Sequence, residues 1–121
     1  MSKILVVEDD IYLLKLYQEV FSKAGFAFEI AEDGQQAIQK ASEFLPEVVL
    51  LDLMLPYVDG FGVLESLKSN PKTKEVKVVV YTNLDSEKQR EKALNLGAMK
   101  FVVKAGDNPG NILDEVNEVL G

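Results

Sequence analysis

The chain has 121 residues, 47% of them hydrophobic and 27% charged, a size and balance that support one core without covalent staples. It contains neither Cys nor His, which excludes disulfides, thiol nucleophiles, Cys-based zinc sites and imidazole acid–base chemistry, and leaves carboxylates, Lys, Thr and backbone groups. A formal net charge of −7 argues against direct nucleic-acid binding by this domain and suits a basic partner or a bound cation.

Apolar, β-branched residues over 3–7 predict a first strand, followed by helical spacing over 10–24 with Ile11, Leu14, Val20 and Phe21 among its apolar positions. Gly25 stands where a helix C′ residue is expected. A short strand over 26–31 leads to Asp33, a cap for a helix reaching about Phe44 with Ala37, Ile38 and Ala41 facing inward. Pro46 punctuates before a third strand over 47–51. Gly60 opens a helix to about Ser69, ended by Asn70-Pro71, and 75–81 reads as the fourth strand. Asp85 or Ser86 caps a helix over 87–96 that Gly97 closes. A fifth strand over 99–103 precedes a final helix with Pro109 in its first turn and its end near Leu120.

Strands that are apolar at consecutive positions are buried on both faces, which implies a parallel sheet covered by helices. The expected fold is α/β: a doubly wound five-stranded parallel sheet with five helices on both faces, forming one domain over 1–121. Spacing alone leaves the strand order open. Ligands in such folds bind at the carboxyl ends of the strands. The apolar stretches are too short for a membrane span and the amino terminus lacks a signal pattern, so the expected setting is cytoplasmic, away from the membrane.

Four of the apolar runs end on side chains that handle phosphate or a metal ion. Leu5-Val6-Val7 runs into Glu8-Asp9, Val48-Val49-Leu50-Leu51 into Asp52, Val78-Val79-Val80-Tyr81 into Thr82, and Phe101-Val102-Val103 into Lys104. In a parallel sheet these ends converge on one edge. Each residue also has a bland reading. Asp10 is a helix cap, an isolated Asp52 or Thr82 suits a turn, Phe101 reads equally as core, and a lone lysine is usually a solvated one. Their joint occurrence favours a site.

The same residues, with ILVVEDD at 4–10, DLMLPYVDG at 52–60 and Gly97-Ala98 before the last strand, resemble the receiver domain of two-component response regulators. The resemblance covers essentially the whole chain and implies a flavodoxin-like strand order of 2-1-3-4-5. It implies a phosphoacceptor switch in phosphorelay signal transduction rather than a turnover enzyme. Asp52 would take a phosphoryl group from a sensor histidine kinase or a phosphotransfer protein. Mg²⁺, with Mn²⁺ as a substitute, would be held by Asp9, Asp52, the Met54 backbone carbonyl and, through water, Glu8. Lys104 and Thr82 would meet the phosphoryl oxygens. Thr82 and Phe101 would act as the switch, remodelling the face of the fourth helix, fifth strand and fifth helix for an output partner or a weak homodimer.

The sequence also departs from the family pattern. Ala105 follows Lys104 where proline is usual; a cis bond before a non-proline costs about 2.5–4 kcal/mol, so trans is the expectation there. Asn83, after Thr82, is bulkier than usual. Met54 and Leu84 hold positions that tune phosphate lifetime; both are apolar and unable to orient an attacking water, which implies slow autodephosphorylation. A haloacid-dehalogenase-like hydrolase would need an acid two residues after Asp52, where Met54 stands. A flavin site would need a phosphate-cradling loop where Glu8-Asp9-Asp10 stand. Ala105 and Asn83 keep open a module that signals by binding alone.

Overall fold

The structure is a computed structural model and describes residues 2–83, 86–104 and 109–121. Strands and helices alternate: β1 (Lys3–Val7), α1 (Ile11–Lys23), β2 (Ala27–Ala31), α2 (Gly34–Phe44) and β3 (Val48–Leu51). Then follow α3 (Gly60–Ser69), β4 (Lys77–Thr82), α4 (Glu87–Asn95), β5 (Lys100–Val103) and α5 (Pro109–Leu120). The five strands form one sheet in the order β2-β1-β3-β4-β5, and every pair is parallel. This is the doubly wound, flavodoxin-like arrangement expected from the sequence.

Strand alternation divides the core into two layers. Leu5, Val7, Val49, Leu51, Val78, Val80 and Phe101 point to one face and pack with residues of α2, α3 and α4, such as Ala37, Leu64 and Ala93. Ile4, Val6, Val48, Leu50, Val79 and Tyr81 point to the other and meet Leu14, Tyr17 and Phe21 of α1 and Ile112, Val116 and Val119 of α5. All four residues of β3 are buried, because helices cover both of its faces.

Helix starts follow the local chemistry. The Asp10 carboxylate accepts from the Tyr12 and Leu13 amides, Asp33 from Gln36, Asp59 from Gly62, and the Ser86 hydroxyl from Gln89. Each such cap stabilises its helix by about 1 kcal/mol. Gly25 and Gly97 take positive φ values of 91° and 113° after α1 and α4, a conformation that favours glycine. A Cβ on Gly60 would lie 2.4 Å from Leu53 Cα, so only glycine lets α3 begin so close to the exit of β3.

The structure moves several predicted bounds. The fourth strand spans Lys77–Thr82, not 75–81. Lys68 Nζ donates to Val76 O at 2.6 Å and Thr73 Oγ1 to Leu67 O at 2.7 Å, which ties the preceding segment to α3 instead of the sheet. Thr82 is thereby the last strand residue, paired in register with Val103. Ser86 is the observed cap of α4; the other candidate, Asp85, lies outside the described residues. Ile11, an apolar position of the first helix, is 60% exposed, since the buried stripe there is Leu14, Tyr17 and Phe21.

Candidate functional site

The carboxyl ends of β1, β3 and β5 bring Glu8, Asp9, Asp52 and Lys104 together. Glu8 and Asp52 continue the pleat of β1 and β3 towards the α1/α5 side, and both are buried. Asp9 is exposed at the mouth. One carboxylate oxygen from each of the three acids lies within 4.8 Å of the other two. Among the described residues this is the one such acidic group.

Lys104 reaches into this group from the end of β5. Its Nζ donates to Glu8 Oε1 at 2.6 Å and to Asp52 Oδ2 at 3.0 Å. The remaining oxygens are held by backbone: Glu8 Oε2 accepts from the Asp10 amide at 3.2 Å, and Asp52 Oδ1 from the Met54 amide at 3.0 Å. The Lys104 amide donates to Thr82 O at 2.7 Å, which fixes the lysine against the end of β4.

Three acids and one ammonium leave an excess of negative charge in a partly desolvated place. Burial pushes the Glu8 carboxyl above its ordinary range, further raised by Asp52; the hydrogen bond and charge of Lys104 offset only part of this. Burial works against the charged Lys104, but the hydrogen bond to Glu8 and the charges of Asp52 and Glu8 prevail and hold its pKa above the usual lysine range. The cleft therefore holds its own cation firmly and has room electrostatically for a second. Its donor set is all oxygen, as a hard divalent cation such as Mg²⁺ requires.

The other residues singled out in the sequence fall around this centre. Thr82 is fully buried at the end of β4, and Asn83 next to it is exposed. The Met54 side chain is 57% exposed and offers no polar atom apart from sulfur. Phe101 is buried on the opposite face from Glu8, with the Arg90 guanidinium 5.0 Å from its ring centre and Arg90 Nη1 donating to the Phe101 carbonyl at 3.3 Å. Leu84, Ala105 and the peptide bond between Lys104 and Ala105 lie outside the described residues. Sequence reasoning passed over Tyr81, whose ring lies 5.7 Å from Lys104 Nζ, because an aromatic residue inside an apolar strand reads simply as core. It passed over Arg90 as well, since a helix-surface arginine carries no pattern of its own.

A doubly wound parallel sheet whose strand ends gather a lysine-bridged carboxylate cluster defines a class of phosphoryl-handling signalling domains. The chain belongs to the response regulator receiver domain family, whose match spans residues 4–117. Among curated relatives, it is 36% identical over 107 residues to the response regulator PleD of Caulobacter vibrioides, covering 88% of this chain and 24% of that protein. It is 30% identical over 118 residues to the probable transcriptional regulator ycf29 of Pyropia yezoensis, covering 98% and 53%. The chain thus spans about a quarter of the first relative and about half of the second.

Among solved structures, the chemotaxis protein CheY4 of Vibrio cholerae superposes with a TM-score of 0.91 at 26% identity, over 98% of both chains. A chain of the CheX–CheY–BeF₃–Mg²⁺ complex of Borrelia burgdorferi gives 0.90 at 27%, over 99% of this chain and 90% of that one. This chain is accordingly a phosphoacceptor signalling domain of the two-component type. Among the described residues, no helix is long and apolar enough to cross a membrane.

Proposed function

We propose that residues 1–121 act as one cytoplasmic receiver domain whose Asp52 accepts a phosphoryl group from a phosphohistidine of a sensor kinase or phosphotransfer protein. The observation that supports this most directly is Lys104, bonded at once to Glu8 and Asp52 beside the exposed Asp9. A carboxylate is a competent nucleophile towards phosphorus, and phosphoryl transfer asks of a protein mainly positioning and neutralisation of charge. In the transfer, an Asp52 oxygen bonds to phosphorus as the bond from phosphorus to the donor imidazole nitrogen breaks. The product is an acyl phosphate, and the imidazole leaves neutral when its other ring nitrogen carries a proton.

Each neighbour has a part in that step. The Met54 amide, already donating to Asp52 Oδ1, orients the carboxylate and leaves Oδ2 to the Lys104 side of the cleft. Lys104 turns its ammonium from the carboxylates towards the phosphoryl oxygens, where the added charge holds it. Glu8, Asp9, Asp52 and the Met54 carbonyl would hold Mg²⁺ or Mn²⁺. Bound there, the ion supplies neutralisation of the crowded oxygens.

The output reading rests on Thr82 and Phe101. Thr82 sits at the end of β4 and Phe101 lies under Arg90 on the α4 side of the sheet. A new charge at Asp52 draws the Thr82 hydroxyl towards it, and Phe101 repacks in response, remodelling the α4–β5–α5 face for an output partner. Intact mass after incubation with Mg²⁺ and acetyl phosphate tests the reading. A single phosphoryl adduct is expected, absent in Asp52→Asn. Failure to form it with either acetyl phosphate or a phosphohistidine donor would point instead to a module that signals by binding alone.

A further inference from the structure

Lys104 stands at the end of β5, whereas the acids it bonds stand at the ends of β3 and β1. β4 separates β5 from β3, so the lysine stem has to cross the top of β4 to reach them. The strands are about 4.8 Å apart, and the crossing therefore leaves the ammonium above whatever side chain β4 presents on that face. On the α1/α5 face that side chain is Tyr81, which is 8% exposed and lies with its ring centre 5.7 Å from Lys104 Nζ. Tyr17 of α1 lies beside the ring, 6.0 Å away between centres and inclined at 59°.

We propose that Tyr81 is a positioning residue for Lys104: its ring face holds the ammonium over the cleft when the carboxylates are taken up by other ligands. The inference rests on the phosphoacceptor reading and deepens it. The lysine must give up Glu8 and Asp52 as partners when a metal ion and a phosphoryl group engage them. At that moment the aromatic face stays beside the ammonium, since neither ligand claims it. An ammonium over a partly desolvated ring is attracted to the negative face of the π-system, an interaction worth tenfold or so in favourable settings. Thr82, the next residue on β4, alternates to the other side of the strand, so Tyr81 is the β4 side chain that faces the lysine.

The test replaces Tyr81 by phenylalanine and by progressively fluorinated phenylalanines, which keep the shape while draining the ring face of negative charge. Phosphorylation from acetyl phosphate at saturating Mg²⁺ is expected to survive Tyr81→Phe and to fall stepwise with fluorination, by about 5-fold across the series. Tyr81→Leu is expected to slow the reaction similarly in the wild-type background and to add nothing to Lys104→Ala. A rate flat across the fluorinated series, or an equal loss from Tyr81→Leu with and without Lys104, would overturn the proposal. The Lys104 Cε proton resonances provide a readout independent of chemistry. A ring-current shift in the Mg²⁺-loaded protein that persists in Tyr81→Phe and vanishes in Tyr81→Leu is expected, and its absence would overturn the proposal. If the wild type forms no adduct while this shift is present, the phosphoacceptor reading fails and the positioning contact stands.

Discussion

Lys104 Nζ and Glu8 Oε1 are 2.6 Å apart although 96 residues separate them in the chain, and both side chains are at least nine-tenths buried. The contact links the first strand to the last across the top of the sheet. It also sets a cation against two of the three clustered acids, so the protein itself neutralises part of their charge. Glu8, a residue longer than aspartate, reaches the lysine with one oxygen and the Asp10 amide with the other.

Removing the ammonium exposes the cost of the arrangement. Lys104→Ala leaves Glu8 and Asp52 as buried, uncompensated carboxylates, and a loss of about 3 kcal/mol of stability is expected in chelator. Mg²⁺ should then stabilise the variant more than the wild type, because the ion takes over the missing charge. Urea denaturation with and without Mg²⁺ measures both, and equal Mg²⁺ responses in the two proteins would contradict the argument.

Glu8 makes the stability depend on pH in a definite direction. Its folded pKa lies above the ordinary 4.5, so folding favours its protonated form. That contribution is complete below 4.5 and is lost as pH rises through the folded value. Glu8→Gln cannot ionise and escapes the loss. In metal-free buffer, its Tm should match the wild type in acid and exceed it increasingly as pH rises from 4.5 towards neutrality. A wild type that gains on the variant with rising pH would mean that the lysine contact outweighs burial.

The loop carrying Leu53 and Met54 is packed against two glycines. A Cβ on Gly34 would lie 2.3 Å from Val58 O, and one on Gly60 2.4 Å from Leu53 Cα, both against backbone that cannot yield cheaply. Gly34→Ala and Gly60→Ala should each cost about 1–3 kcal/mol. Gly60→Ala should also slow phosphorylation, since it displaces the backbone next to Asp52. Chemical denaturation and the acetyl phosphate assay check the pair.

Phosphate lifetime should be long. Met54 lies half-exposed at the mouth and brings no hydrogen-bonding group to an attacking water. The phosphorylated protein is expected to decay with a half-life well beyond seconds, and Met54→Asn to shorten it about 10-fold, less than the roughly 100-fold or more of a full general base because an amide only orients the water. Decay of the adduct followed by mass spectrometry decides the matter; a half-life of seconds in the wild type would contradict it.

Much of this protein was legible along the chain because its signals are local. Apolar runs such as Val48–Leu51 announce buried parallel strands, Asp10, Asp33 and Ser86 announce helix starts, and Gly25 and Gly97 announce helix ends. The acids and the lysine after those runs mark the carboxyl edge of the sheet from the sequence alone. The fourth strand begins two residues later than its apolar pattern predicts because Lys68 and Thr73 hold the preceding segment to α3, a tertiary competition that no local pattern contains.

The sequence by itself determined the elements, their parallel arrangement and the roster of residues at the strand ends, because helix caps, glycine turns and apolar periods act over a few residues. Only the tertiary structure decided how that roster is wired. Strand order places β4 between Lys104 and its acids, pleat direction sends Tyr81 and Thr82 to opposite faces, and burial raises Glu8 while its partners keep Lys104 charged. Those are distances and desolvation between residues up to 96 positions apart, and they exist only once the sheet has closed.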